Sequence, residues 1–140
     1  MGRVVVLGSL NVDLVTSVEA HPRPGETVLG NGMDRYAGGK GANQALAAAR
    51  SGAEVHMVGR IGDDEGGRLY RERLERNGVR TDHLRTDSGE STGHALIVVS
   101  EDGENTIVVI PGANGRVDRS DVAALDGLSA GDVLLMQLEI

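Results

Sequence analysis

The stretch Gly38-Gly39-Lys40-Gly41-Ala42-Asn43-Gln44-Ala45 sets the tightest limit on how this chain folds. Glycines at 38, 39 and 41 let a backbone turn sharply and approach a ligand with no Cβ in the way. The residues that follow, to Arg50, are mostly strong helix formers. A glycine loop feeding a helix N-terminus offers unpaired N–H groups and a partial positive charge to an oxygen-rich ligand. Two nucleotide-binding loops are excluded by spacing. A P-loop needs Ser or Thr after Gly-Lys, but Gly41 follows Lys40, and Gly39-Lys40-Gly41-Ala42-Asn43-Gln44 lacks the last glycine of a dinucleotide fingerprint. Lys40 is the sole lysine beside thirteen arginines. Such retention suggests a site that wants a compact, mobile charge instead of a planar fork, although a lone lysine is ordinarily a solvated surface residue.

A chain of 140 residues is one domain in size, enough to bury roughly 68% of its unfolded surface. Phe and Trp are absent and Tyr36 and Tyr70 are the only aromatic rings, so the core must be aliphatic and little surface is left for stacking bases. A net charge of −7 argues against nucleic acid and anionic membranes as partners. The absence of cysteine excludes disulfides and thiolate chemistry. The apolar run after Met1-Gly2-Arg3 is too short for a signal peptide, and no run approaches the ~18 apolar residues of a membrane span. A cytoplasmic location is the expectation.

Val4-Val5-Val6-Leu7, ended by Gly8, predicts a strand buried on both faces. Ligands of open α/β sheets bind beyond the carboxyl ends of strands, which is where Asn11 and Asp13 fall. In extended chain their side chains share one face, although Asn and Asp are also common turn formers. A weaker strand is expected over Leu14–Val18. A turn at His21-Pro22-Arg23-Pro24 leads into a short strand near Val28. The glycine-loop helix should run from about Ala42 to a left-handed cap at Gly52, followed by a strand over Val55–Gly59. Asp63 and Asp64 cap a second helix that runs to about Asn77 and stops at Gly78. Leu69 and Leu74 form its apolar stripe, with Arg68–Glu72, Arg71–Glu75 and Glu72–Arg76 pairs on the wet side.

After a linking stretch, Ala95–Val99 and Thr106–Ile110 make a hairpin around an acidic Gly-containing turn. Both runs are apolar nearly throughout, so both faces need covering, one by a ligand or domain and the other by a partner subunit. Pro111–Gly115 is a turn, Asp118–Asp121 caps a short helix over Val122–Leu125, and Asp132–Glu139 is the last strand. Its Glu139 also falls where such a sheet places ligand contacts. Strands alternating with helices predict an α/β fold with a parallel sheet flanked by helices. A small antiparallel lid is expected, with strands near residues 14–36 and 94–110.

The glycine stretch, with Gly52 and Gly62 at their spacing, resembles the N-terminal signature of the ribokinase (PfkB) family of sugar kinases. Gly8-Ser9-Leu10-Asn11-Val12-Asp13, Pro22-Arg23-Pro24-Gly25-Glu26-Thr27 and Gly89-Glu90-Ser91-Thr92-Gly93 are similar to segments of that family. The resemblance implies an ATP-dependent carbohydrate kinase of ribokinase-like fold, with phosphoryl transfer to the 5-hydroxyl of D-ribose. Its relatives act on fructose, deoxyribose or nucleosides, and a non-catalytic sugar-binding or dimerisation fragment is the other alternative. It implies sugar contacts from Asn11, Asp13, Gly39, Lys40, Gly41, Asn43 and Glu139. Ala95, Ile97 and Val109 would line a lid through which a homodimer forms. It further implies ATP, Mg2+ and K+ as cofactors. The family's base motif, Gly-Ala-Gly-Asp, does not occur in these residues, since Ser129-Ala130-Gly131-Asp132 opens a strand instead. The resemblance therefore corresponds to an N-terminal half incomplete at its C-terminus, with no catalytic base, no metal ligands and no kinase activity of its own.

Overall fold

A computed structural model describes residues 2–140. They form two four-stranded sheets that meet at the glycine loop. The first comprises β1 (Val4–Leu7), β4 (Val55–Gly62), β5 (Val79–Asp87) and β8 (Val133–Met136), in the order β5-β4-β1-β8 with every pairing parallel. The second comprises β2 (Asn11–Val18), β3 (Asp34–Gly38), β6 (Gly93–Ser100) and β7 (Asn105–Ile110), in the order β3-β2-β6-β7. Its outer pairings are antiparallel, as expected of the lid, but β2 and β6 run parallel in the middle. That pair joins segments far apart in sequence, a connection that hairpin signals do not report.

Alternation within β1 decides the layering. Val6 joins Leu10, Leu46, Met57, Ile61, Tyr70 and Leu74 in the main core, beneath α1 (Lys40–Arg50) and α2 (Glu65–Arg76). Val5 and Leu7 point the other way, with Val58, against Val117, Ala124, Leu125 and Leu128. Both faces of the parallel sheet are therefore covered, which is why β1 is apolar throughout and β4 is mostly so, with His56 and Arg60 as its polar residues.

Four expectations need correction. No strand forms near Val28, where Gly30, Asn31 and Gly32 interrupt the chain and Leu29 lies exposed; the strand is β3, further on. The supposed link after Gly78 contains β5, an edge strand whose polar residues mask the inward set Val79, Thr81 and Leu84. Leu69 is half exposed, and the buried face of α2 is instead Gly67, Tyr70 and Leu74. Of the three ion pairs expected on α2 only Glu72–Arg76 forms, at 2.9 Å. Arg71 reaches the carbonyls of Thr81 and Leu84, at 3.2 and 2.6 Å, and so ties α2 to β5.

Several boundaries also move. Helix α1 begins at Lys40, two residues before the expected start, and Gly52 leaves it with φ +90°. Asp64 is the N-cap of α2 and accepts from Gly67 N at 2.8 Å. It also accepts from Thr92 N and Oγ1 at 2.7 and 2.6 Å, tying α2 to the start of β6. Burial alone would push this carboxyl up, but the Thr92 and Gly67 donors outweigh it and hold it below the usual range. Residues 112–116 form a 3-10 turn where the sequence predicts a simple turn, and α3 (Arg119–Val122) is followed by a second 3-10 turn. Strand β8 stops at Met136, so Glu139 lies beyond its end.

Candidate functional site

Strands β1 and β2 are consecutive in the chain yet belong to different sheets, so residues 8–10 cross from one to the other. The N-terminus of α1 packs on this crossing. Ala42 N donates to Ser9 O at 3.1 Å, and Gly41 lies so near that a Cβ there would stand 2.5 Å from Gly8 C and 2.7 Å from Ser9 N. Gly39 has φ +90°, and its Cβ would meet Asn11 N and Ser9 O at 2.7 Å. From the other side Gln137, just past β8, accepts from Ser9 N through Oε1 at 2.6 Å. Three elements thus converge on one backbone segment, and only glycines allow the approach.

The candidate residues are distributed around this crossing. Asn11 and Asp13 occupy alternate positions of β2 and share a face. The register places Ala95 beside Asp13 and Val109 beside Ala95, with Ile97 on the same face. Asn11 is buried, Asp13 half-buried, and Lys40, Asn43 and Glu139 exposed. Lys40 Nζ donates to Glu139 Oε1 at 2.5 Å, linking the start of α1 to the segment after β8. Burial pushes the Asp13 carboxyl above the usual carboxylate range. Asn11, Val109 and Glu139 line one cavity of about 240 Å³, together with Pro111, Asn114 and Leu138. Asp13, Gly39, Lys40, Gly41, Asn43, Ala95 and Ile97 are not part of that lining.

Nothing in the sequence marks Asn114, Gln137 or Tyr70 as contacts of this crossing. Asn114 sits in a turn-like Pro-Gly-Ala-Asn-Gly context, and Gln137 in an apolar strand, so neither pattern announces a partner across the fold. Tyr70 donates its hydroxyl to Gly38 O, pinning the turn from which Gly39 and α1 start. Burial pushes the phenol far above its usual range, so it stays a neutral donor. Tyr70→Phe removes the hydroxyl donor from that buried carbonyl and should lower stability by about 0.5–1.5 kcal/mol. Denaturant titration checks this, and an unchanged midpoint would show that the bond carries nothing.

Chemically, the crossing combines a helix N-terminus, an ammonium, two carboxylates and two amides. Such a set suits a neutral, hydroxyl-rich ligand that both donates and accepts, with a positive charge beside it. Among the described residues, no three His, Cys, Asp or Glu side chains converge to hold a metal ion.

The sequence matches the family described as pfkB family carbohydrate kinase over residues 1–137. It is 45% identical to the ribokinase of Bacillus subtilis (strain 168) over 141 residues, covering 100% of this chain and 48% of that protein. The ribokinase of Cryptococcus neoformans var. grubii serotype A, solved in complex with ADP, is 42% identical at a TM-score of 0.84, over 99% of this chain and 43% of that one. The Arabidopsis thaliana ribokinase, solved with ribose and ATP, is 35% identical at a TM-score of 0.84, over 100% of this chain and 46% of that one. The chain belongs to the pfkB family of carbohydrate kinases. It spans just under half the length of these relatives.

Proposed function

We propose that this chain is the sugar-binding part of a cytoplasmic ribokinase, which transfers the terminal phosphoryl group of ATP to the 5-hydroxyl of D-ribose. The observation that carries the reading is the junction between the two sheets. It lies within a chain that aligns along its whole length with a ribokinase solved with ribose and ATP. Asp13 and Glu139 accept from sugar hydroxyls, and Asn11 and Asn43 offer amides. The backbone at Gly39 and Gly41 allows close approach. Lys40, released from Glu139, places its ammonium beside the incoming phosphoryl group, where positive charge is needed as transfer proceeds. Ala95, Ile97 and Val109 form the inner face of the lid and exclude water.

The catalytic base and the ligands for ATP, Mg2+ and K+ are assigned to residues outside these 140. A homodimer through the lid is part of the same reading. Strand β7 is exposed along its whole length, with Ile107, Val108, Val109 and Ile110 uncovered at the sheet edge. Sedimentation of the purified chain checks that contact: a dimer weakened by Val108→Lys supports it, and a monomer contradicts it.

The activity is tested with ATP and ribose on two samples. A polypeptide in which this sequence continues into a Gly-Ala-Gly-Asp segment should turn over, and the 140-residue chain alone should not. Turnover by the pure chain would overturn the assignment of the base, and preference for fructose or a nucleoside would overturn the assignment of the sugar.

A further inference from the structure

Asn114 is 1% exposed and 103 residues from its side-chain partner Asn11. Its Oδ1 accepts from Leu10 N at 3.0 Å, and its Nδ2 donates to Leu10 O at 3.0 Å and to Asn11 Oδ1 at 2.8 Å. A backbone N–H can only donate and a carbonyl can only accept, so Leu10 dictates which end of the Asn114 amide is oxygen. Once that is fixed, the second Nδ2 hydrogen demands an acceptor, and Asn11 must turn its own oxygen inward. Asn11 Nδ2 then has no partner among the described residues, and Asn11 and Asn114 line the same cavity. Gly93 flanks the pair so closely that a Cβ there would collide with both Asn114 Nδ2 and Asn11 Oδ1.

We propose that Asn114 is a positioning residue that locks the Asn11 amide with its nitrogen toward the cavity, so that this point of the site takes a ligand oxygen with a free lone pair. The inference rests on reading the cavity as part of the sugar site, and it adds the polarity of one contact. Asp13 and Glu139, when ionised, can only accept, so they read the hydrogen of a hydroxyl, whereas the locked Asn11 reads its lone pair. A polyol offers both, and a ligand that offers only donors is disfavoured at Asn11.

The test is Asn114→Asp, which keeps the shape and removes the Nδ2 donors. When ionised, the introduced carboxylate still accepts from Leu10 N, but its other oxygen opposes Leu10 O and Asn11 Oδ1. The Asn11 amide then turns over and the cavity loses its donor. Ribose affinity at pH 7.5, measured by calorimetry on the purified chain, should fall about tenfold or more. Protonation restores one O–H donor, for which Leu10 O and Asn11 Oδ1 compete, and burial beside two acceptors raises the pH at which this happens. The affinity ratio of variant to wild type should therefore recover only in part, to the extent that the O–H turns to Asn11, as the pH falls to 5. Asp13, Glu139 and Lys40, the charged groups around the site, are common to both proteins and cancel in that ratio.

Circular dichroism at each pH establishes that both samples are folded. A folded variant that binds like wild type at pH 7.5 overturns the lock. Wild type that binds no ribose overturns the sugar reading instead. The lock is then read by side-chain amide exchange: a protected Asn114 with a freely exchanging Asn11 supports it, and the reverse overturns it.

Discussion

Asp13→Asn is expected to lower ribose affinity by about 10²-fold while leaving the chain as stable as before, or more so. The affinity term follows from what the carboxylate supplies. A hydrogen bond to a charged acceptor contributes about 1.5–3 kcal/mol, and the amide replaces one acceptor with a donor that faces hydroxyl protons. The stability term follows from burial. Asp13 has no protein hydrogen-bond partner among the described residues, and its carboxyl is raised above the usual range by burial. An acid whose folded pKa exceeds its unfolded pKa adds most stability when protonated, below the unfolded value. That contribution is lost as the pH rises through the folded value. At neutral pH the ionised group is thus a cost to the unliganded chain, which a bound polyol relieves. Calorimetry and thermal melts at pH 7.5 check both halves. A melting temperature that falls along with affinity would make Asp13 a structural residue and remove it from the site.

The second large effect separates two burdens on one glycine. Gly39 and Gly52 share a φ of +90°, but a Cβ at Gly52 meets nothing within 4 Å, whereas at Gly39 it stands 2.7 Å from Asn11 N and Ser9 O and 2.8 Å from Leu10 Cα. Gly52→Ala should therefore cost only left-handed strain, about 1–2 kcal/mol. Gly39→Ala adds backbone overpacking to the same strain and should cost about 3–5 kcal/mol. Against a typical total of about 5–15 kcal/mol, that leaves the Gly39 variant marginal or unfolded. Urea denaturation of the two variants decides the matter. Equal losses would mean that the loop relaxes away from the β1–β2 crossing and that its glycines serve flexibility alone.

Those two positions also show what the sequence reveals. The three glycines around Lys40 announce a close approach, but not that the partner is the backbone of residues 8–10, because proximity between segments thirty residues apart leaves no local pattern. Apolar strands such as β1, β4 and β6 are legible from β-branched runs. Strands β3 and β5 are not, since Asp34-Arg35-Tyr36 and Arg80-Thr81-Asp82-His83 carry the polar residues of edges. Asn11, Asp13, Lys40 and Glu139 stand out as polar groups at strand ends or in a glycine loop. Asn114 does not, because Asn beside Gly and Pro is what any turn contains. Its role depends on reaching Leu10 across the fold, and only the structure supplies that.

Sugar recognition by these 140 residues is the point on which the other expectations depend. The most direct test is a calorimetric titration of the purified 14.6 kDa chain with D-ribose, beside its Asp13→Asn variant. Saturable heat is expected for the chain, and its loss in a variant that remains folded. A folded chain that gives no heat, or a variant that binds as well as the original, would contradict that expectation.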